Sequence, residues 1–240
     1  FRKAARDALA VLYSPAPAVA AGVFTTNLFQ AAPVLVAREN LAASRHARAI
    51  LVNAGQANAC TGEDGVVNCK VSLELAAEAL DVKPGEVLPA STGVIGVHLL
   101  MDKWREAMPQ IKESLGQATA LEAAKAIMTT DSFPKLAAAR MTAEDGREVR
   151  VLGMCKGAGM ICPNMATMLG FILTDAEVEP DLWQEIIAGC AAESFNRVTV
   201  DGDTSTNDCC IGLANGRSDV KVGRGDMQPL VEAVDQVCQA

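Results

Sequence analysis

A chain of 240 residues, half of them apolar and about a fifth charged, is long enough to bury one large core or two smaller ones, which excludes a disordered chain and a disulfide-held miniprotein. The formal net charge is −8 and the basic residues are scattered without a cluster, so no DNA- or RNA-tracking surface is expected. No run approaches the roughly 18 uninterrupted apolar residues of a membrane span, and the protein is expected to be soluble.

The opening stretch, FRKAARDALAVLYSPAPAVAAG, superficially looks like a secretion signal, with a basic start before an apolar run. Asp7 interrupts the basic part and Pro15 and Pro17 break the apolar run, so the stretch reads as an internal strand of a chain truncated before it. Runs at residues 18–25, 33–37 (PVLVA) and 48–53 (RAILVN), each bounded by Asn, Pro or Gly, predict buried strands. Apolar residues then recur at three- and four-residue steps over residues 66–80, 98–115 and 120–128, predicting helices that pack on a sheet.

The EDGR turn at residues 144–147 separates AARMTA from EVRVLGM and predicts a hairpin. A Gly-rich segment from Lys156 to Gly159 precedes an apolar strand predicted at 167–174, followed by a helix over about 180–194 opened by Pro and Asp. A polar loop, VDGDTSTND, leads to the small apolar strand CCIGLAN and a helical run from Met227. With no internal repeat or linker in view, this alternation predicts an α/β (α+β) fold of layered sheets covered by helices.

The eight cysteines, at 60, 69, 155, 162, 190, 209, 210 and 238, form no CxxC pair and no Cys/His spacing for tetrahedral zinc. They read as reduced thiols of a cytoplasmic protein, mostly acting as small buried hydrophobes. The only histidines are His46 and His98, and no GxSxG elbow exists, so a Ser-His-Asp hydrolase is hard to build. Another base is available to a residue that becomes an N-terminus: its own α-amine, with an ordinary pKa of about 7.7 to 8.0.

The segment KGAGMICPNMATMLGFILTDA offers a context for that chemistry, because a loop containing Gly and Pro feeds Ala166-Thr167 into an apolar strand. Attack of the Thr167 hydroxyl on the small, accessible Ala166 carbonyl would shift the acyl group from nitrogen to oxygen. Hydrolysis of that ester would free the Thr167 amine beside its hydroxyl. On composition alone Thr167 reads more readily as an ordinary β-branched strand residue. DGDTSTND begins like a calcium loop at Asp201, but its sixth position is Thr206 instead of Gly and its twelfth is Gly212 instead of Glu. KGAG matches neither a P-loop nor a GxGxxG pattern, so neither metal nor nucleotide is expected.

The run around Thr167 resembles the cleavage and nucleophile region of the ornithine acetyltransferase family, the glutamate N-acetyltransferases of the arginine pathway. AAGVFTTN at 20–27, NAGQANACTG at 53–62, STGVIG at 91–96, MTTDSFPK at 128–135 and VTVDGDTSTND at 198–208 agree with the same family, in the expected order. The resemblance implies a fold like that of the β-aminopeptidases and N-terminal-nucleophile hydrolases. It implies a precursor cut between Ala166 and Thr167 into an α-chain part (1–166) and the start of a β-chain (167–240), forming one structural unit.

By the same resemblance Thr167 is the nucleophile, Thr92 and Gly93 form the oxyanion hole, Lys156 binds substrate, and Thr129 or its neighbour Thr130 contacts it. The reaction implied is ping-pong transfer of acetyl from N-acetylornithine to glutamate with no metal or organic cofactor, acetyl-CoA being an alternative donor in some relatives. The assembly implied is a heterotetramer of two α and two β chains. Family members extend further at both ends, and their DGEGATK-like glutamate and C-terminal Asn and Thr have no counterpart in this sequence. The rival readings are an N-terminal-nucleophile aminopeptidase or amidase, and an uncut, inactive fragment.

Overall fold

The computed structural model describes residues 8–160 and 168–240. The cleavage pair Ala166 and Thr167, and Cys162 before them, lie outside the described residues. In chain order the main elements are β1 (Leu9–Phe24), α1 (Ala32–Ala43), β2 (His46–Asn53), α2 (Gly62–Leu80), β3 (Val87–Ser91), α3 (Met101–Ser114), α4 (Ala120–Ala126), β4 (Lys135–Thr142) and β5 (Glu148–Lys156). After the second described stretch begins come β6 (Leu169–Thr174), β7 (Glu177–Val178), α5 (Pro180–Glu193), β8 (Cys209–Ala214), β9 (Lys221–Val222) and α6 (Gln228–Gln239).

β1 is twice the length expected from residues 18–25, because its prolines interrupt the ladder without ending the strand. The register with β2 shifts between Tyr13 and Ala18, where Pro15 and Pro17 have no N–H to give. Arg48 gathers the groups released there, donating to the carbonyls of Ser14 at 2.9 Å and Pro15 at 2.9 Å and to the Tyr13 hydroxyl at 2.8 Å. Ahead of this interruption β1 pairs with β2 from Leu9↔Asn53 to Tyr13↔Ala49; beyond it the β2 ladder continues only at Ala18↔Ala47 and Val19↔His46, and from Val19↔Ala214 to Phe24↔Cys209 β1 pairs with β8.

The strand predicted at 33–37 is instead the start of α1. Pro33 falls in the first turn, where a helix has no use for its missing N–H, and Val34, Val36 and Ala37 are buried. A short apolar run does not by itself separate a buried strand from a buried helix turn. The helices read over 66–80, 98–115, 120–128 and 180–194, the hairpin of β4 and β5, and the terminal helix are all present.

The strand order β3-β2-β1-β8-β6-β5-β4 forms one continuous ladder, with β2 parallel to β3 and β6 parallel to β8. The apolar residues sort into three layers. Ile50, Val52 and Leu88 from one half of the ladder meet Met154, Phe171, Ile211 and Leu213 from the other, with α4 closing the space. The alternate residues of β2, Ala49 and Leu51, face α1, α2 and α3 through Leu73 and Trp104. Those of β5, β6 and β8 (Val151, Ile172, Cys210) face α5 and α6 through Trp183, Ile187 and Val234. The ladder is therefore folded at β1 into two sheets with their inner faces together and helices outside, the layered fold expected. Among the described residues no helix is long and apolar enough to cross a membrane.

Candidate active site at the head of β6

Folding at β1 brings the loop that enters β8 back to the end of β3. Asn207, buried, donates to the carbonyls of Ala57 at 2.6 Å and Ser91 at 2.8 Å, tying residues 198–208 to both the NAGQAN loop and the STG turn. Thr25, also buried, gives its hydroxyl to the Ser205 carbonyl at 2.7 Å and its amide to the Asp208 carbonyl at 2.9 Å. Asp208 in turn accepts the amide of Met168, just before β6, through Oδ1 at 3.1 Å. The polar loop is thus a brace whose last residue fixes where β6 begins.

The turn after β3 carries Thr92 and Gly93, the pair expected to form an oxyanion hole. Asn53 shapes its support, donating to the Gln56 carbonyl at 2.7 Å and accepting the Gly55 amide at 3.0 Å. Thr92 gives its amide to the Asn53 carbonyl at 2.8 Å. Gly93 has φ +122°, and a Cβ built there would stand 2.2 Å from the Gly55 carbonyl oxygen, so only glycine suits this close approach. Gly93 is an exposed residue, and its amide donates to no backbone acceptor among the described residues.

Lys156 ends β5 with its side chain buried, and its Nζ donates to Thr92 Oγ1 at 3.0 Å. A hydroxyl that accepts from an ammonium keeps its own proton for another acceptor, which is what an oxyanion donor requires. Burial pulls the Lys156 ammonium below the ordinary lysine range, and the negative charges of Asp131 and Asp208 act against that pull.

Asp131 acts on the lysine through its charge. Its carboxylate accepts the amide of Gly157 at 2.7 Å, the amide of Thr129 at 3.1 Å and Lys135 Nζ at 2.6 Å. Burial works to raise this carboxyl, but Lys135 and the two amides outweigh it and keep it below the usual carboxylate range. Asp208 behaves oppositely. Burial pushes its carboxyl up to about 7 against the lowering effect of Ser205, Met168 and Lys156, and Oδ2 has no hydrogen-bond partner.

Of the residues singled out in the sequence, Thr92, Gly93 and Lys156 come together here. Thr129 enters through its backbone amide on Asp131, and Thr130 is exposed. Sequence reasoning passed over Asp131 and Asp208, although both stand in the strings MTTDSFPK and VTVDGDTSTND. Among the described residues no group of three or more His, Cys, Asp or Glu side chains could hold a metal.

Two face-to-face sheets between helix layers define the fold class of the N-terminal-nucleophile hydrolase variants. The l-aminopeptidase d-Ala-esterase/amidase from Ochrobactrum anthropi, described as such a variant, shares this fold at a TM-score of 0.50 over 95% of this chain and 73% of its own, with 11% identity. The chain belongs to the ArgJ family, whose sequence profile matches residues 1–240. It is 59% identical over 237 residues to an arginine biosynthesis bifunctional protein ArgJ from Nitratidesulfovibrio vulgaris, covering 99% of this chain and 60% of that relative's length.

The crystal structure of ArgJ from Bacillus halodurans aligns at a TM-score of 0.62 and 36% identity, over 68% of this chain and 85% of that one. Ornithine acetyltransferase from Mycobacterium tuberculosis, solved with ornithine, aligns at 0.57 and 38% identity, over 65% and 82%.

Proposed function

We propose that this chain is the catalytic part of a glutamate N-acetyltransferase that moves acetyl from N-acetylornithine to glutamate in arginine biosynthesis, through an acetyl ester on Thr167. The observation that carries this reading is the convergence of Thr92, Gly93 and Lys156 beside the head of β6, which begins two residues after Thr167, in a member of the ArgJ family.

The Thr167 hydroxyl first attacks the Ala166 carbonyl carbon; the amide C–N bond breaks and an ester forms. Water then hydrolyses the ester, leaving a carboxyl on Ala166 and a free amine on Thr167. In each turnover that amine takes the hydroxyl proton as Thr167 attacks the acetyl group of N-acetylornithine, and the proton leaves with ornithine. Glutamate reverses the steps and departs as N-acetylglutamate. Thr92 Oγ1 and the Gly93 amide face the developing oxyanion in both halves, and Lys156 offers its ammonium to the substrate carboxylate, with Thr129 nearby. No metal or organic cofactor enters this scheme; acetyl-CoA is a second acetyl donor within it. The cut halves, 1–166 and the part from 167, stay together as a cytoplasmic heterotetramer of two α and two β chains. The ornithine bound to the Mycobacterium tuberculosis enzyme supports the substrate class.

The test is Thr167→Ala in the full-length protein, following intact mass and acetyl transfer together. Loss of both the cut at 166–167 and transfer is expected; survival of both overturns the reading. Release of free acetate in place of transfer to glutamate would instead assign an amidase.

A further inference from the structure

Thr129 and Lys156, the two residues assigned to the substrate, come from different parts of the chain: one lies between α4 and β4, the other ends β5. The pairing of β5 with β4 stops at Lys135↔Cys155 and its pairing with β6 at Lys156↔Leu169, so the backbone of Gly157 has no ladder partner. Two side chains take the place of a strand there. Asp131 Oδ1 accepts the Gly157 amide at 2.7 Å, and Lys135 Nζ donates to the Gly157 carbonyl at 3.0 Å.

The clamp closes on itself, because Lys135 Nζ also donates to Asp131 Oδ1 at 2.6 Å and stands over the Phe133 ring, 5.1 Å from its centroid. Asp131 Oδ2 accepts the Thr129 amide at 3.1 Å. One carboxylate therefore reaches both the backbone of Thr129 and the residue that follows Lys156. Its side chain is 0% exposed, and burial works to raise it, yet its three donors keep it below the usual carboxylate range and ionised at neutral pH. A brace serving only the β4–β5 hairpin would lie within its ladder; this one lies past the last pair, at the end where Lys156 leaves the strand.

We propose that Asp131 and Lys135 are a positioning pair that fixes the spacing between Thr129 and the Lys156 ammonium, and so sets selectivity for an acetyl donor carrying an α-carboxylate. This deepens the proposed function and rests on its assignment of Lys156 to the substrate carboxylate. Thr92 holds the tip of the Lys156 side chain at 3.0 Å, and the pair holds its root through Gly157. With both ends fixed, the ammonium has little freedom left to lose when a carboxylate arrives.

The experiment compares kcat/KM for Nα-acetylornithine with that for its α-carboxamide, which lacks the negative charge, in full-length Asp131→Asn, Lys135→Met and Lys135→Arg proteins. The unaltered protein is expected to prefer the carboxylate. That preference should fall about tenfold in Asp131→Asn and Lys135→Met, through KM for Nα-acetylornithine with kcat changed less than about threefold. It should return in Lys135→Arg, which keeps a cation with several donors. Charge alone predicts the opposite for Asp131→Asn, since removing a carboxylate makes the surroundings of Lys156 more positive. A preference unchanged or increased, or a loss shared equally by the two donors, overturns the proposal. The Lys135 side chain is 31% exposed, so Lys135→Met decides the matter if Asp131→Asn fails to fold. Absence of any preference in the unaltered protein overturns the assignment of Lys156 itself, which tells the two failures apart.

Discussion

Two regions of this molecule bury ionisable groups to the same depth and treat them differently. Beneath α5 and α6, Cys190, Cys210 and Cys238 sit in an apolar cluster, where burial pushes Cys190 up to about 11, Cys238 up to about 12 and Cys210 well above the ordinary thiol value. At the head of β6, Lys156, Asp131 and Asp208 are equally withdrawn from water, but Asp131 accepts three donors and the charges of two carboxylates act on Lys156. The thiols adapt to burial by staying neutral, so they pack as hydrophobes. In the second region Asp131 keeps its charge because Lys135 and two backbone amides are aimed at it, whereas Asp208, with fewer donors, is pushed up to about 7. Burial is therefore no mark of a site by itself; retained charge with directed partners is.

The hardest blow to the charged region is Gly93→Ala, which forces a Cβ against the Gly55 carbonyl and displaces the exposed amide. Acetyl transfer should fall by about a hundredfold or more, measured as kcat/KM, consistent with the loss of one oxyanion donor. Lys156→Met comes next. It removes the ammonium proposed to meet the substrate carboxylate, and KM for the amino-acid substrates should rise by at least about thirtyfold, the lower end of the cost of truncating one partner of a buried, hydrogen-bonded charge pair.

Asp208→Asn has a separate signature in stability. Because burial raises the folded-state value to about 7, the native state holds its proton more tightly than the unfolded chain. The resulting stabilisation is complete below the unfolded carboxylate value near 4 and is lost as pH rises through about 7. The Tm of the unaltered chain, before any cut, should therefore fall relative to that of Asp208→Asn between those two values; a constant gap would break the contrast. The mildest effect is expected of the thiols. Thiol reagents at pH 8 should label the exposed Cys60 and leave Cys69, Cys190, Cys209, Cys210 and Cys238 untouched in the native protein. Cys60→Ser should change stability by less than about 0.5 kcal/mol.

Much of this was legible beforehand, for reasons that can be stated. Helices such as α2 and α5 announce themselves through repeated three- and four-residue steps, and the EDGR turn allows little besides a hairpin. The prolines of β1 misled about its length because Arg48, 33 residues from Pro15, takes over the carbonyls they free, and no local pattern reveals that. β7 and β9, with two residues each, carry no periodicity at all. In the site, Thr92, Gly93 and Lys156 came from resemblance, whereas Asp131 and Asp208 needed coordinates. A weak signal existed for Asp208: a carboxylate written directly before CCIGLA is drawn inside with that strand.

The order of the strands has one more consequence. Residues before 161 supply β1 on one side and β5 on the other, while β6 and β8 from the later stretch lie between them. Severing the polypeptide at 166–167 would leave the second piece threaded through the first, zipped along both edges. Separation would mean opening two ladders and two apolar layers together, so maturation should change the number of chain ends and leave the sedimentation of the particle unaltered.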